Sequence, residues 1–331
     1  MPRIVRFHKT GAADVLKIEA TLLQEPEAGE IRIAVKALGL NRAEVMFRNG
    51  MYLETPVFPA RLGYEAAGTV DAIGAGVTGF KLGDRVSTIP AFPMSRYGVY
   101  GETCVVPARA VAHYPERLSV EEAASIWMQY LTAWGGLLHH GKLQAGQWVL
   151  ITAGGSSVAV ASIQIAGVLG AKAIVTTRTS AKKKALLDAG ASEVIATQEE
   201  DLVRRTMDIT GGEGVHLAFD PIGGPIVTKL AMATRIGGQI IEYGALSPDP
   251  TPLPLFPLLA RALIIRGYTL FEFSKGDPAV MARGVAFANE HLKSGALVPR
   301  IDRVFPFERI IDAHRYMESN EQIGKIVISV P

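Results

Sequence analysis

The sequence predicts an α/β protein in two parts, a β-rich domain and a doubly wound parallel sheet. Three observations predict it. Short strand-like runs punctuated by glycine fill the first third of the chain. From Gln147 onward, strand-like and helix-like stretches alternate. The first strand of that alternating half runs into a small-residue loop that opens a helix. A chain of 331 residues is long for one domain and ample for two. The expected division gives 1–124 and 269–331 to the β-rich domain and 125–268 to the sheet domain.

Each element has its own reason. Ile31-Arg32-Ile33-Ala34-Val35-Lys36-Ala37 alternates apolar and polar residues, the pattern of a half-buried strand. Gly68–Gly74 reads as strand then turn, and Gly83-Asp84-Arg85-Val86 as a tight turn into a strand. Such short strands point to a small barrel or sandwich. Ser119-Val120-Glu121-Glu122 carries a capping-box signature, predicting a helix through about His139. Strands follow at Trp148–Thr152, Ala173–Thr177, Glu193–Ala196, Val215–Phe219, Gln239–Tyr243 and Leu263–Tyr268. Helices are expected at Val158–Leu169, Ala181–Ala189 and Glu200–Thr210. Strands joined by helical crossovers make the dinucleotide-binding pattern. The tail holds a helix (Ala279–Ser294), a strand entry at Val304, a helix (Glu308–Met317) and a last strand (Lys325–Val330).

Composition excludes several classes. The net charge of +2 and scattered basic residues give no nucleic-acid footprint, and Lys182-Lys183-Lys184 reads as a solvated helix start. The single cysteine, Cys104, cannot form an internal disulfide, which fits a reducing compartment. No long apolar run predicts a membrane span, and a cytoplasmic location is expected.

The loop Ala153-Gly154-Gly155-Ser156-Ser157-Val158-Ala159 places small residues at Gly154, Ser156 and Ala159, the spacing of a degraded dinucleotide fingerprint. The residues Gly154 through Val158 are the expected pyrophosphate contacts, because helix-start amides favour an anion whatever the side chains. The plain alternative is a structural strand-to-helix turn. After the second strand, an NAD site places an acid for the ribose hydroxyl. Here the chain has Arg178, Thr179, Ser180 and Lys182. A guanidinium with hydroxyls suits a 2′-phosphate, so the expected cofactor is NADPH, with Arg178, Ser180 and Lys182 as contacts. The alternative is a solvated Arg178.

The chain resembles the medium-chain dehydrogenase/reductase superfamily, in particular its zinc-free quinone oxidoreductase branch, which includes zeta-crystallin. The matching stretches are Gly39–Glu44, Arg48–Tyr52, Leu62–Gly68, Gly83–Val86, Leu131–Trp134 and Gly324–Val327. The resemblance covers essentially the whole chain. It implies a GroES-like catalytic domain, a Rossmann cofactor domain and a homodimer paired through an edge strand such as Leu263–Gly267. Zinc-dependent members hold catalytic zinc through a Cys and a His, and those places here read Asn41 and Tyr64. No metal is expected.

The resemblance also implies that Asn41 and Tyr52 face the nicotinamide. Tyr52 would protonate the carbanion or enolate, or else pack at the barrel rim. Asn41 would hold a carbonyl oxygen, or else form a turn. Tyr64 lines the same cavity and is a second candidate proton donor. Thr132 lies near the carboxamide, or is a buried helix threonine. Thr197, Tyr243, Gly244 and Lys325 complete the expected cofactor set. Phe92, Met94, Tyr97, Trp127, Met128 and Phe271 are the expected substrate pocket, with core packing as the alternative for each. The implied reaction is metal-free hydride transfer to a quinone or an α,β-unsaturated carbonyl. Two rivals stand beside it: an enoyl-thioester reductase, and a non-catalytic NADPH-binding protein.

Overall fold

The computed structural model describes all 331 residues. The chain divides into two compact units. Unit 1 is Met1–Met128, Phe273–Lys293 and Val298–Pro331, and unit 2 is Gln129–Glu272 with Ser294–Leu297. Both boundaries fall four residues later than the sequence reading placed them, and the short Ser294–Leu297 segment joins the sheet unit.

Unit 1 begins with β1 (Arg3–Phe7), β2 (Leu16–Ala20), β3 (Glu30–Gly39), β4 (Ala60–Arg61), β5 (Glu65–Ile73), β6 (Arg85–Thr88), β7 (Thr103–Pro107) and β8 (Val111–His113). Unit 2 holds β9 (Trp148–Ile151), β10 (Lys172–Thr177), β11 (Glu193–Ala196), β12 (Val215–Asp220), β13 (Thr234–Glu242) and β14 (Ile264–Gly267). The chain returns to unit 1 for β15 (Ile301–Pro306) and β16 (Lys325–Ser329).

In unit 1 a small sheet runs β2-β1-β4, and a larger one runs β15-β16-β3-β5-β6-β8 with β7 also on β3. The apolar residues of β3, Ile31, Ile33 and Val35, are buried, as their alternation requires. Gly63, at φ +105°, leads into β5; a Cβ there would stand 2.1 Å from the Tyr100 ring.

In unit 2 the six strands are all parallel, in the order β11-β10-β9-β12-β13-β14. This is the doubly wound arrangement, with its switch point between β9 and β12. Leu150, Ile174, Ile195, Ala218 and Ile240 fill the core from the sheet. All six expected strands and the three expected helices are present, with ends shifted by a few residues.

One expected element is broken. The helix predicted from Ser119 onward stops at Ala123, after the Ser119–Glu122 capping box, and restarts at Trp127. The Met128 N–H donates to the Glu65 carboxylate at 2.9 Å instead of to a carbonyl of the preceding turn. The Trp127 indole is anchored by Ser87 at 2.8 Å. No helix is long and apolar enough to cross a membrane.

Candidate functional site

In unit 2, β9 delivers the chain to Thr152 and then to Ala153, whose φ is +50°. A Cβ on Gly154 would stand 2.4 Å from Val175 and 2.7 Å from the Thr176 carbonyl, so only glycine lets the loop lie this close to β10. Ser156 caps the helix Ser157–Val168, its Oγ accepting the Ala159 N–H at 3.1 Å. The amides of Ser157 and Val158 begin that helix and have no intrahelical acceptor. A tight loop ending in amides without an intrahelical acceptor fits a pyrophosphate.

Arg178 follows β10, is exposed, and makes no ion pair or side-chain hydrogen bond. Ser180 differs: its N–H and hydroxyl both donate to Glu199, at 2.8 and 3.2 Å. Lys183 is held by Glu200 at 2.5 Å. Thr197 is tied back to the Thr177 carbonyl through its N–H at 2.8 Å. Of the cationic and hydroxyl residues expected to receive a 2′-phosphate, Arg178 therefore stands ready, while Ser180 must first be released from Glu199. Lys182 is half-buried beside them. Tyr243 stacks on Phe219 with ring centroids 4.0 Å apart, and its buried phenol comes up beside Ser156. Gly244 follows it, against the Pro221 carbonyl. Thr132 is buried in a helix of the same unit, and Phe271 is half-buried there.

In unit 1, the cluster around Asn41 is a closed network. The Lys325 ammonium, 1% exposed, donates to Asn41 Oδ1 at 2.6 Å and to Glu65. Asn41 Nδ2 donates to Glu44 and Glu65, each at 3.2 Å. Glu44 also takes the Asn41 N–H at 2.5 Å, at the head of the helix Arg42–Arg48. Burial pushes the Glu44 carboxyl up to about 7 against the opposing pull of the Lys325 ammonium.

Two expectations are corrected here. Asn41 spends both ends of its amide inside this network, so it orients and does not hold a substrate oxygen. Lys325, expected in the cofactor set, is sealed in the same network, and its ammonium is spent on Asn41 and Glu65. Missed by the sequence reading were Glu44 and Glu65. The Asn41-x-x-Glu44 spacing is itself a capping-box signal that could have found the first.

The second cluster holds the phenols. Tyr64 is fully buried and donates to Glu54 at 2.9 Å. Glu54 is fixed by the Ser95 hydroxyl at 2.8 Å and the N–H groups of Met94 and Ser95. Tyr52 is half-buried; its ring meets that of Tyr64 at 6.4 Å, and the two hydroxyls hydrogen-bond. Burial raises both phenols well above their ordinary value, so both stay protonated. Tyr64 is thus corrected from a donor facing substrate to a support behind Tyr52. Trp127, Met94 and Phe92 are corrected as well: they are 0%, 0% and 2% exposed and pack in the core. Phe92 lies 5.8 Å from Tyr64 and 6.1 Å from Tyr97. Tyr97 is half-buried, with its hydroxyl on Glu30 at 2.9 Å, and Met128 is half-buried.

A zinc ion does not fit the residues present. Catalytic zinc takes thiolate, imidazole and carboxylate ligands. Here a lysine-bound amide and a carboxylate-bound phenol stand at Asn41 and Tyr64. No three His, Cys, Asp or Glu side chains converge in a geometry that could hold a metal.

The chain is similar to known proteins over nearly its whole length. Residues 27–116 match the family model for the alcohol dehydrogenase GroES-like domain, and residues 157–285 match that for zinc-binding dehydrogenase. A quinone oxidoreductase-like protein 2 homologue from Nematostella vectensis is 31% identical over 304 residues, covering 91% of this chain and 81% of that one. Among solved structures, an NAD-dependent alcohol dehydrogenase aligns with a TM-score of 0.90 at 31% identity, over 99% of this chain and 100% of that one. The Escherichia coli quinone oxidoreductase complexed with NADPH aligns at 0.89 and 28%, over 99% of both chains. The CurK enoyl reductase aligns at 0.89 and 26%, over 100% and 99%.

Proposed function

Because the chain belongs to the quinone oxidoreductase branch of the medium-chain dehydrogenase/reductase superfamily, we propose that it is an NADPH-dependent reductase of quinones or α,β-unsaturated carbonyls that works without a metal. The observation that carries this reading is the pair of protonated phenols, Tyr52 on Tyr64, with Tyr64 standing where zinc-dependent members carry a metal ligand. A plain alcohol needs a Lewis acid to stabilise its alkoxide. An already polarised acceptor needs only a hydrogen-bond or proton donor.

NADPH supplies the hydride. The chain does the rest. Gly154 and the amides of Ser157 and Val158 hold the pyrophosphate, and Arg178 holds the 2′-phosphate. Tyr52 keeps its phenol proton, which lies on the Tyr64 oxygen in the free protein and turns from there to the acceptor oxygen or the carbon beside it. Tyr64, fixed by Glu54, restricts where the Tyr52 hydroxyl points. The Asn41–Lys325–Glu65 network locks the start of the helix Arg42–Arg48.

The test of the whole reading is NADPH oxidation against a panel of quinones, enones and enoyl thioesters. Turnover of quinones or enones supports it. Turnover of thioesters alone makes it an enoyl-thioester reductase instead. Tight NADPH binding with no turnover at all makes it a binding protein.

Within that panel, Tyr52→Phe is expected to lower kcat on enones by about tenfold or more and on quinones much less. The hydroquinone anion is stable and needs little protonation, whereas an enolate needs more. Unchanged enone turnover removes Tyr52 from the mechanism.

β14 is an edge strand, and beside it Ile236, Leu253, Leu255, Phe256, Leu259 and Ile264 are exposed, Phe256 at 86%. Edge pairing with a second copy would satisfy the free backbone and cover these side chains. Sedimentation is expected to give twice the chain mass for the native protein and a folded monomer for Phe256→Asp/Ile264→Lys. A native monomer removes the dimer.

A further inference from the structure

A carboxyl pair at the ends of β12 and β13, one strand over from the switch point, is not used by the reaction proposed above. β12 ends at Asp220 and β13 at Glu242, and the two residues are register partners on neighbouring strands. Asp220 is fully buried and accepts donors at both oxygens: the Thr152 hydroxyl at Oδ1, and the Gly223 N–H at Oδ2, 2.7 Å away. Glu242 accepts none. Both its carboxyl oxygens are buried without a donor, within hydrogen-bonding range of Asp220. Asp220 is furnished as an anion. Glu242 is satisfied only if it carries a proton and donates it to Asp220.

The surroundings offer no other remedy. The next residue, Tyr243, is a protonated phenol. Opposite Glu242 on β14 is Gly267, and the neighbouring Arg266 is engaged by Glu272 at 2.5 Å, with His140 3.6 Å from the same carboxylate. From β9 comes only Thr152. Burial and the Asp220 charge together hold the Glu242 carboxyl well above the ordinary carboxylate range.

The pair is linked to the dinucleotide loop at two points. Thr152, bonded to Asp220, is the residue that enters Ala153-Gly154. Tyr243, adjoining Glu242, comes up beside Ser156, the cap of the first helix. We infer that Glu242 is a positioning residue whose proton couples dinucleotide binding to pH. With the proton in place, Asp220 holds Thr152 and the loop. When the proton leaves for solvent, two negative charges lie under a loop that must receive a pyrophosphate. This rests on the dinucleotide reading of unit 2.

The experiment is titration of NADH and of NADPH by protein fluorescence between about pH 7 and pH 10, above the ionisation of the 2′-phosphate. For the native protein, Kd for both dinucleotides is expected to rise at least about tenfold, the scale of a coupling of roughly one proton per decade. Glu242→Gln keeps a neutral donor to Asp220 and is expected to give a flat profile, and so is Glu242→Ser should the first variant fold poorly. A flat native profile, or the same slope in either variant, overturns the inference while leaving the dinucleotide reading intact. Failure of both dinucleotides to bind at pH 7 overturns both. The ligand-free protein supplies a second readout with the same sign. Unfolded Glu242 ionises in the ordinary carboxylate range and folded Glu242 at higher pH, so the native fold loses stability as pH rises between the two, and Glu242→Gln removes that loss.

Discussion

Arg178→Ala is expected to weaken NADPH binding by about 10- to 100-fold and to leave NADH binding nearly unchanged. A hydrogen bond between charged partners contributes roughly 1.5–3 kcal/mol, which converts to that range. The guanidinium is exposed and bonded to nothing in the protein, so removing it breaks no internal contact. Its planar fork matches a phosphate. Glu199 sharpens the expectation, because it already occupies the N–H and hydroxyl of Ser180. With those donors engaged, Arg178 carries the larger share of the discrimination between the two dinucleotides, with Lys182 beside it. Fluorescence titration with both cofactors decides it, and equal losses on the two would remove Arg178 from the 2′-phosphate site.

Lys325→Met is expected to cost the protein about 3–5 kcal/mol of stability, the usual loss when one member of a buried ion pair is removed. Lys325 and Glu65 are each 1% exposed. Without the ammonium, Glu65 keeps the N–H groups of Met128 and Asn41 but loses its counter-charge in a place closed to water. Asn41 loses the donor at its Oδ1 as well. Glu44, already raised by burial, loses its opposing cation and rises further. The unfolding midpoint should drop by roughly 10 °C in calorimetry. Lys325→Met/Glu65→Gln should recover much of the loss, because the unpaired charge is gone. A loss below about 1 kcal/mol in the single variant would show that the pair is solvated or exchanged for another.

Much of the fold was legible in the sequence. The six parallel strands of unit 2 announce themselves as short apolar runs between helix-length stretches, and backbone periodicity is a local property. The turn at Gly154 was legible for the same reason. The break before Trp127 was not. It depends on Glu65, from a distant strand, taking the Met128 N–H. The candidate site divides likewise. Arg178 was singled out because the choice between an acid and a base after the second strand is a one-position signal, and its place at the 2′-phosphate is a proposal. The role of Asn41 was misjudged because its partner Lys325 lies 284 positions away. Trp127, Phe92 and Met94 were placed in a pocket and proved to be core, since an apolar aromatic or thioether side chain suits either place equally. Glu54 and Glu242 left no trace in the local pattern, because a buried carboxyl is recognised only by what folds around it.

The lone cysteine has a consequence for the chemistry proposed above. Quinones and enones are electrophiles that capture thiolates, so a reductase of such compounds works in the presence of a reagent for its own sulfur. Cys104 sits on β7, 2% exposed. Burial pushes its thiol up to about 12. Very little of it is the reactive thiolate at neutral pH, and the residue is shut away from solvent. The protein is thereby built to survive repeated encounters with acceptors that would arylate an exposed thiol, and a thiol count before and after prolonged turnover with a quinone should be the same.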